Sequence, residues 1–359
     1  MQLERKNMPV FTEQTLHAIG VELFKAAGVP DEQTQMVIDH LVESNLFGHD
    51  SHGAIRYPEY VKAIVKEGRF NASATTEVTE NSPCTAVVDN GGGLGQVGGT
   101  FAIDLAIKKA RENGTATVTL RNTSHVGRAG AYPLRAAREG MIAFATVNAG
   151  KFGNQIAPFG GIDGKLSTDP IAFAAPRRDA APIMVDMTTS VVAEGKVRVA
   201  ANKGVQVPEG WMIDSDGNPT TDPTKLKSDP RGAILPLGGI VAHKGYGLGI
   251  MVEILGGALS GQGCAAGENT MESNGVLFTV FNIEHFTPMD QYYDHVETMM
   301  THVKSSRLAP GFSEILAPGE PEFNMAKHRR AHGIEIDDKT WSDIVEAADM
   351  VGIDATKWL

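Results

Sequence analysis

The chain reads as an α/β protein, a mixed α+β core held between helical segments at its two ends. Three observations predict this. Apolar residues recur at helical spacing through the first 65 or so positions. From residue 77 short β-branched runs appear and alternate with helical stretches. After residue 287 the helical spacing returns. A helical head and tail around a mixed core imply one discontinuous helical domain, 1–76 with 287–359, and a sheet domain at 77–286.

The elements follow in order. Thr12 is suited to cap a helix that turns Leu16, Ile19, Leu23 and Ala27 to one face, and Gly28 ends it before Val29-Pro30. Asp31 is placed to cap a second helix with Val37, Ile38, Leu41 and Leu46 inward, closed by Gly48. A third helix carries Tyr60, Val61, Ile64 and Val65 and stops by Gly68. Strands are expected at 85–88, 115–120, 142–147, 183–186 and 276–281, and helices at 101–111, 191–201 and 248–259. Residues 208–238, rich in Pro, Gly, Asp and Thr, read as a long irregular excursion. Helices at 295–304 and 341–350 complete the chain.

Composition excludes several classes. A net charge of −11 repels phosphate backbones and anionic lipid, so neither nucleic acid nor a membrane surface is an expected partner. No apolar run approaches a membrane span. Cys84 and Cys264 are the only cysteines and lie far apart, which argues against a disulfide framework or a cysteine zinc site and fits a reducing cytoplasm. The start of the chain mixes Glu4, Arg5 and Lys6 without an apolar stretch, unlike a signal peptide.

The most visible motif is misleading. Gly93-Leu94-Gly95-Gln96-Val97-Gly98 matches the GxGxxG of dinucleotide-binding turns and follows an expected strand. In such a unit an acid should end the next strand and hold the ribose. That strand ends Thr119-Leu120-Arg121-Asn122. Six of the nine residues from 91 to 99 are glycine, so a chance match is easy, and a glycine-rich loop beside a helix is the simpler reading.

Four polar clusters carry chemistry. In Ser51-His52-Gly53-Ala54-Ile55-Arg56-Tyr57-Pro58-Glu59-Tyr60, Arg56 and Tyr60 share a helical face, with His52 at its start. A guanidinium grips a carboxylate and an imidazole moves a proton near neutrality, which is what a 2-keto acid requires. The same residues also suit a capped turn with a surface arginine. His49-x-x-His52 has metal-ligand spacing but lacks further ligands, so no metal is expected. No GxSxG elbow supports a serine hydrolase. His125, in Ser124-His125-Val126-Gly127 at a strand end, is a second acid or an orienting donor, or a core-edge histidine. Asp186-Met187-Thr188-Thr189-Ser190 places an acid and hydroxyls ahead of a helix, where phosphate or amide groups bind or where Asp186 simply caps. In His243-Lys244-Gly245-Tyr246-Gly247, a lysine among glycines suits phosphate contact.

In this order the clusters resemble the malate/L-lactate dehydrogenase family, which is distinct from the Rossmann dehydrogenases and includes ureidoglycolate, sulfolactate and diketogulonate enzymes and cyclic-imine carboxylate reductases. The resemblance runs over nearly the whole chain. It also includes Pro158-Phe159-Gly160-Gly161, Thr168-Asp169-Pro170-Ile171-Ala172-Phe173-Ala174-Ala175-Pro176, Leu235-Pro236-Leu237-Gly238 and Pro318-Gly319-Glu320-Pro321.

The resemblance implies a non-Rossmann mixed sheet that binds NAD or NADP, with NAD placed first. It implies a homodimer and a small carboxylate substrate. Cofactor contacts fall on Asp186, Met187, Thr188, Thr189, Ser190, His243, Lys244, Gly319 and Glu320. Arg56, Tyr60 and Ser51 face the substrate, while His52, His125 and Asp186 are catalytic. His52 is taken as the proton carrier ahead of His125, which serves as the base in some relatives. The implied reaction is hydride transfer between a nicotinamide and a 2-hydroxy or 2-keto acid. Rival readings are a cyclic-imine carboxylate reductase, a silent binding protein on the same fold, and a metal hydrolase using His49 and His52. The sequence departs from the family at Asp169, where asparagine is usual, and in Asn148-Ala149-Gly150-Lys151-Phe152-Gly153, which is expected to line the substrate pocket.

Overall fold

The chain's structure, a computed structural model, describes residues 8–266 and 273–358. Residues 1–7, with the Glu4, Arg5 and Lys6 on which the signal-peptide reading rested, lie outside it, as do the side chains of Lys151 and Phe152 in the expected pocket lining. The chain enters through strand β1 (Val10–Phe11) and helices α1 (Glu13–Ala26), α2 (Asp31–Leu46) and α3 (Arg56–Val65). Thr12 caps α1 by accepting the Thr15 N–H at 3.1 Å. Asp31 lies inside α2, whose cap position is taken by extended Pro30. Proline before a helix holds the entering backbone extended and needs no N–H of its own.

A seven-stranded sheet forms the centre. Its strands are β2 (Glu77–Asn81), β3 (Thr85–Gly93), β4 (Thr115–Thr123), β5 (Met141–Asn148), β6 (Ile171–Ala175), β7 (Ile183–Met187) and a late strand, Asn274–Asn282. Helix α4 (Gly95–Asn113) crosses from β3 to β4, and α5 (Ala131–Arg138) precedes β5. After β7 come α6 (Glu194–Lys203), three short strands β8 (Met212–Ile213), β9 (Pro219–Thr220) and β10 (Ala233–Ile234), and α7 (His243–Val252). The late strand is therefore β11. Helices α8 (Met289–Lys304), α9 (Glu320–His332) and α10 (Asp338–Met350) follow, with β12 (Ile334–Glu335) between the last two.

The strand order is β2-β3-β4-β11-β5-β6-β7, and only β3 and β4 run parallel. One βαβ crossover in an otherwise antiparallel sheet is not the doubly wound architecture of a Rossmann domain. Ala102, Ile103 and Ile107 of α4 and Tyr132 of α5 pack on Val88, Val118, Leu120, Ala145 and Phe278. Burying each large apolar side chain contributes roughly 1.5–3 kcal/mol.

The two ends of the chain share a second core. β1 pairs antiparallel with β12, matching Phe11 to Ile334, and the Phe11 ring lies 5.0 Å from Trp341. Leu16 and Leu23 of α1, Leu41 of α2, Tyr57 and Val61 of α3 and Ile344 of α10 are buried together.

Several elements differ from the sequence reading. Residues 208–238 are not wholly irregular: β8, β9 and β10 form an antiparallel sheet, anchored by Met212, Leu226 and Ile234 in an apolar cluster with Ile156 and Val197. Helix α6 starts three residues late, because Val191 N–H is held by Leu235 O at 2.9 Å. The expected helix at 248–259 begins earlier, at His243, and continues as a π-helical turn, Glu253–Ala258. β2 escaped detection because all five of its side chains are exposed and show no alternation. Among the described residues no helix is long and apolar enough to cross a membrane.

Candidate active site

The turn between α2 and α3 is built from its flanks inward. Asn45 of α2 accepts the Ala54 N–H at 2.7 Å and donates to Asp50 Oδ1 at 2.7 Å. Arg329 of α9 reaches the same carboxylate and also the Asn45 carbonyl. A short helical turn, Asp50–His52, is thereby fixed, and it delivers Ser51 and His52. Ser51 Oγ lies 3.0 Å from His52 Nδ1. His49 points away, 3.7 Å from Glu322, and among the described residues no three His, Cys, Asp or Glu side chains converge as a metal ion needs.

His125 arrives just after β4, and its ring stacks on that of His52 with centroids 5.4 Å apart and planes 25° apart. Its Nδ1 lies 2.6 Å from Tyr60 Oη. Both imidazoles thus have Nδ1 occupied by a hydroxyl, and neither Nε2 has a protein partner among the described residues. Arg56, in the first turn of α3, donates from Nε to Ser51 O at 2.8 Å and from Nη1 to Glu59 at 2.5 Å. Its Nη2 has no partner among the described residues. Burial first, and the nearby Arg56 charge second, hold both histidines well below their ordinary value and therefore neutral.

Tyr60, expected to face the substrate beside Arg56, is fully buried, with its hydroxyl 2.6 Å from His125 Nδ1. Asp186, expected among the catalytic residues, bonds to neither ring among the described residues; its Oδ2 accepts the Gly130 N–H at 2.8 Å.

The expected cofactor residues fall into two groups. Leu237 N–H donates to Thr189 O at 2.9 Å and Gly245 N–H to Leu237 O at 3.1 Å, so the segment after β7, the Leu235-Pro236-Leu237 strip and the start of α7 form one surface. The hydroxyls of Thr188, Thr189 and Ser190 all donate to backbone carbonyls and so offer lone pairs rather than protons outward. Met187, His243 and Lys244 are exposed there, with the His243 ring 5.7 Å from Phe159. Lys244 has no acidic partner among the described residues, and it stands on the first turn of α7, where the helix dipole also favours an anion. Lys244 and the backbone N–H groups of the first turn of α7 are the charge and the donors that fit a dinucleotide pyrophosphate. Gly319 docks elsewhere, on the start of β7, through Met184 N–H to Pro318 O at 3.0 Å. Glu320 is held by Lys304 at 2.6 Å and by the Ala317 N–H at 2.8 Å.

The glycine-rich run is closed to a phosphate. Gly95 N–H donates to Ser124 Oγ at 3.0 Å, and Asn90 Nδ2 donates to Leu94 O at 3.0 Å, so protein groups fill the start of α4.

The family described as malate/L-lactate dehydrogenase matches residues 11–345. The chain belongs to the malate/L-lactate dehydrogenase family. It is 41% identical to the malate dehydrogenase of Pyrococcus horikoshii over 342 residues, 93% of each chain. It is 37% identical to the L-sulfolactate dehydrogenase of Methanocaldococcus jannaschii, over 94% of this chain and 96% of that one. The crystal structure of malate dehydrogenase from Entamoeba histolytica superposes with a TM-score of 0.91 at 28% identity, covering 97% of this chain and 99% of the other.

Within this malate/L-lactate dehydrogenase family member, the departure at Asp169 has a structural counterpart. Asp169 is fully buried at a φ of 38°, and among the described residues neither carboxyl oxygen has a hydrogen-bond partner. It faces Glu253, buried in the π-helical turn, whose Oε2 accepts the Ala265 N–H at 2.7 Å. Burial and the Glu253 charge push the Asp169 carboxyl well above the usual range, which favours an Asp169 proton that it can share with Glu253. Asn45, Gln96 and Arg329 escaped the sequence reading because their roles lie in contacts between distant segments.

Proposed function

We propose that this chain is an NAD- or NADP-dependent dehydrogenase interconverting a small 2-hydroxy acid and its 2-keto acid. The observation that carries the reading is the pair of stacked, neutral histidines with open Nε2 edges beside an arginine with one open terminal nitrogen. Arg56 Nη2 takes the substrate carboxylate, leaving the α-oxygen to the imidazoles. His52 is the proton carrier: neutral, it accepts the hydroxyl proton at Nε2 in oxidation, and protonated, it returns that proton in reduction. The nicotinamide, when bound, supplies or accepts the hydride. The surface at Asp186, Met187, Thr188, Thr189, Ser190, His243 and Lys244, with Gly319 and Glu320 at its margin, is the proposed cofactor side. The helical segments 1–76 and 287–359 form one domain that brings His52 and Arg56, and the sheet domain, 77–286, brings His125, so the cleft lies at their junction. The protein works under this reading as a cytoplasmic homodimer, in keeping with its two unpaired cysteines.

The test follows reduced-cofactor absorbance with NADH and NADPH, each supplied with pyruvate, oxaloacetate, 3-sulfopyruvate, 2,3-diketogulonate and piperideine-2-carboxylate. Turnover of a keto acid that is lost in His52→Ala is expected. Arg56→Ala should raise KM by roughly 10–100-fold, the equivalent of one charge-assisted hydrogen bond. Exclusive turnover of the imine makes the protein a cyclic-imine reductase. Absence of turnover and of cofactor binding by folded protein refutes the dehydrogenase.

A further inference from the structure

Protein groups fill the glycine-rich run at the start of α4, and the run places one fully buried polar side chain beside the two stacked histidines. Gly95 is pressed against the end of β4: a Cβ on it would lie 2.2 Å from His125 O and 2.5 Å from Ser124 O. Only glycine lets the first turn of α4 approach the backbone of His125 so closely. The next residue, Gln96, is fully buried, and its amide Nε2 donates to Tyr60 Oη at 3.1 Å. Tyr60 Oη in turn lies 2.6 Å from His125 Nδ1. Gly127 clears the other side, since a Cβ there would come within 2.9 Å of Gln96 Nε2.

We propose that Gln96 is a positioning residue that fixes the tautomer of His125, making it a permanent Nε2–H donor to the substrate oxygen and leaving His52 as the only imidazole that cycles its proton. This deepens, and rests on, the dehydrogenase reading above. An amide N–H can only donate, so at this contact Tyr60 Oη accepts and keeps its own proton to give. At 2.6 Å the lone pair of His125 Nδ1 takes it, and a neutral imidazole with an acceptor Nδ1 carries its hydrogen on Nε2. His52 is under no such constraint. Its Nδ1 faces Ser51 Oγ, a hydroxyl that can accept from Nδ1–H and so leave the Nε2 lone pair of the neutral ring open to a proton. The two rings therefore differ in function although they stack and share surroundings. The charged and titratable groups facing His125 are Arg56 and Tyr60 from α3, His52 from the turn before it and His40 from α2. Each cation among them opposes a second proton on His125.

The test reads the tautomer directly by NMR of protein labelled with 15N-histidine, with His125→Gln used to assign the signal. No substrate is needed, so the result stands apart from the activity assay. His125 is expected as the Nε2–H tautomer, neutral through pH 6. Gln96→Met keeps the bulk of the side chain and removes the donor. It should admit the Nδ1–H tautomer, move the acid limb of the pH–rate profile upward, and lower kcat about tenfold at nearly constant KM, a fraction of a full acid–base contribution. Tyr60→Phe should give the same tautomer change by removing the link. A wild-type His125 in the Nδ1–H form overturns the proposal, as does a Gln96→Met protein with unchanged tautomer and pH profile. Should Gln96→Met fail to fold, the wild-type tautomer and Tyr60→Phe decide. An Nε2–H tautomer in a protein without dehydrogenase activity would keep the relay and reject the function.

Discussion

Arg329 grips Asp50 with two hydrogen bonds, of 2.6 and 2.9 Å, across 279 residues of sequence. The contact pins the turn that carries Ser51 and His52 to a helix near the end of the chain. Arg329→Ala should therefore damage catalysis more than stability. An ion pair whose acid is half exposed is worth about 1 kcal/mol in folding, whereas misplacing a proton carrier by an ångström costs up to about 100-fold in rate. The check is kcat/KM against the urea midpoint. Equal losses in both would show that the contact is merely structural.

Acid should unfold the protein through its neutral histidines. His40 is pushed down to about 3 by burial first and Arg128 second, and His52 and His125 are lowered too. As pH falls, the unfolded chain takes up these protons first, at its ordinary value of about 6.5. The stability they contribute is present above that value and is lost as pH falls towards the depressed folded values. Urea midpoints from pH 7.5 to 5 should fall in the wild type, with a shallower slope in His125→Gln.

Substrate binding should shift the same groups the other way. A carboxylate on Arg56 offsets part of the positive charge that lowers His52 and His125, so both rise towards the ordinary value in the complex. In the oxidation direction, the acid limb of kcat should lie at higher pH than that of kcat/KM. Coincident limbs would place Arg56 away from the carboxylate.

Asp169→Asn should stabilise the protein in alkali. The folded-state value of Asp169 is raised, so its contribution is whole below the ordinary carboxylate range and is lost as pH rises through the raised value. An amide needs no shared proton and can donate to Glu253. The melting temperature should exceed the wild type by more at pH 8.5 than at pH 5, by roughly 1–2 °C for each kcal/mol in a chain of this size. A lower melting temperature at both pH values would reject the shared proton.

Lys244→Ala should weaken dinucleotide binding by about tenfold, in keeping with one lost charge-assisted contact, and flatten its dependence on salt. Titration of cofactor fluorescence measures both. Unchanged affinity would move the pyrophosphate off the start of α7.

Local signals made much of this architecture readable. The alternation of 115–120, the apolar run of 276–281 and the Thr12 cap reflect forces that act within a few residues, and those elements stand where expected. β2 and the three strands of the 208–238 excursion depend on partners elsewhere, and no periodicity announces them. The site divides in the same way. His52 and Arg56 sit in one short polar segment that announces itself. Tyr60 does too, but its hydroxyl turns inward to His125, a partner 65 residues away. Gln96 was hidden inside a motif that suggested a different ligand, and nothing local distinguishes Asn45 from any other polar helix residue. Its value lies in holding Ala54 and Asp50 at once.

The place of β11 governs how this molecule must be made. It lies between β4 and β5, yet it is translated more than 120 residues after β5 ends. Until it emerges from the ribosome, β4 and β5 present open edges to whatever is near, and the sheet exists only as two unjoined halves. Closing it is a long-range event, slow by its topology and exposed to aggregation while it waits. A nascent chain stalled before residue 274 should therefore bind holdase chaperones, and the full-length chain should not.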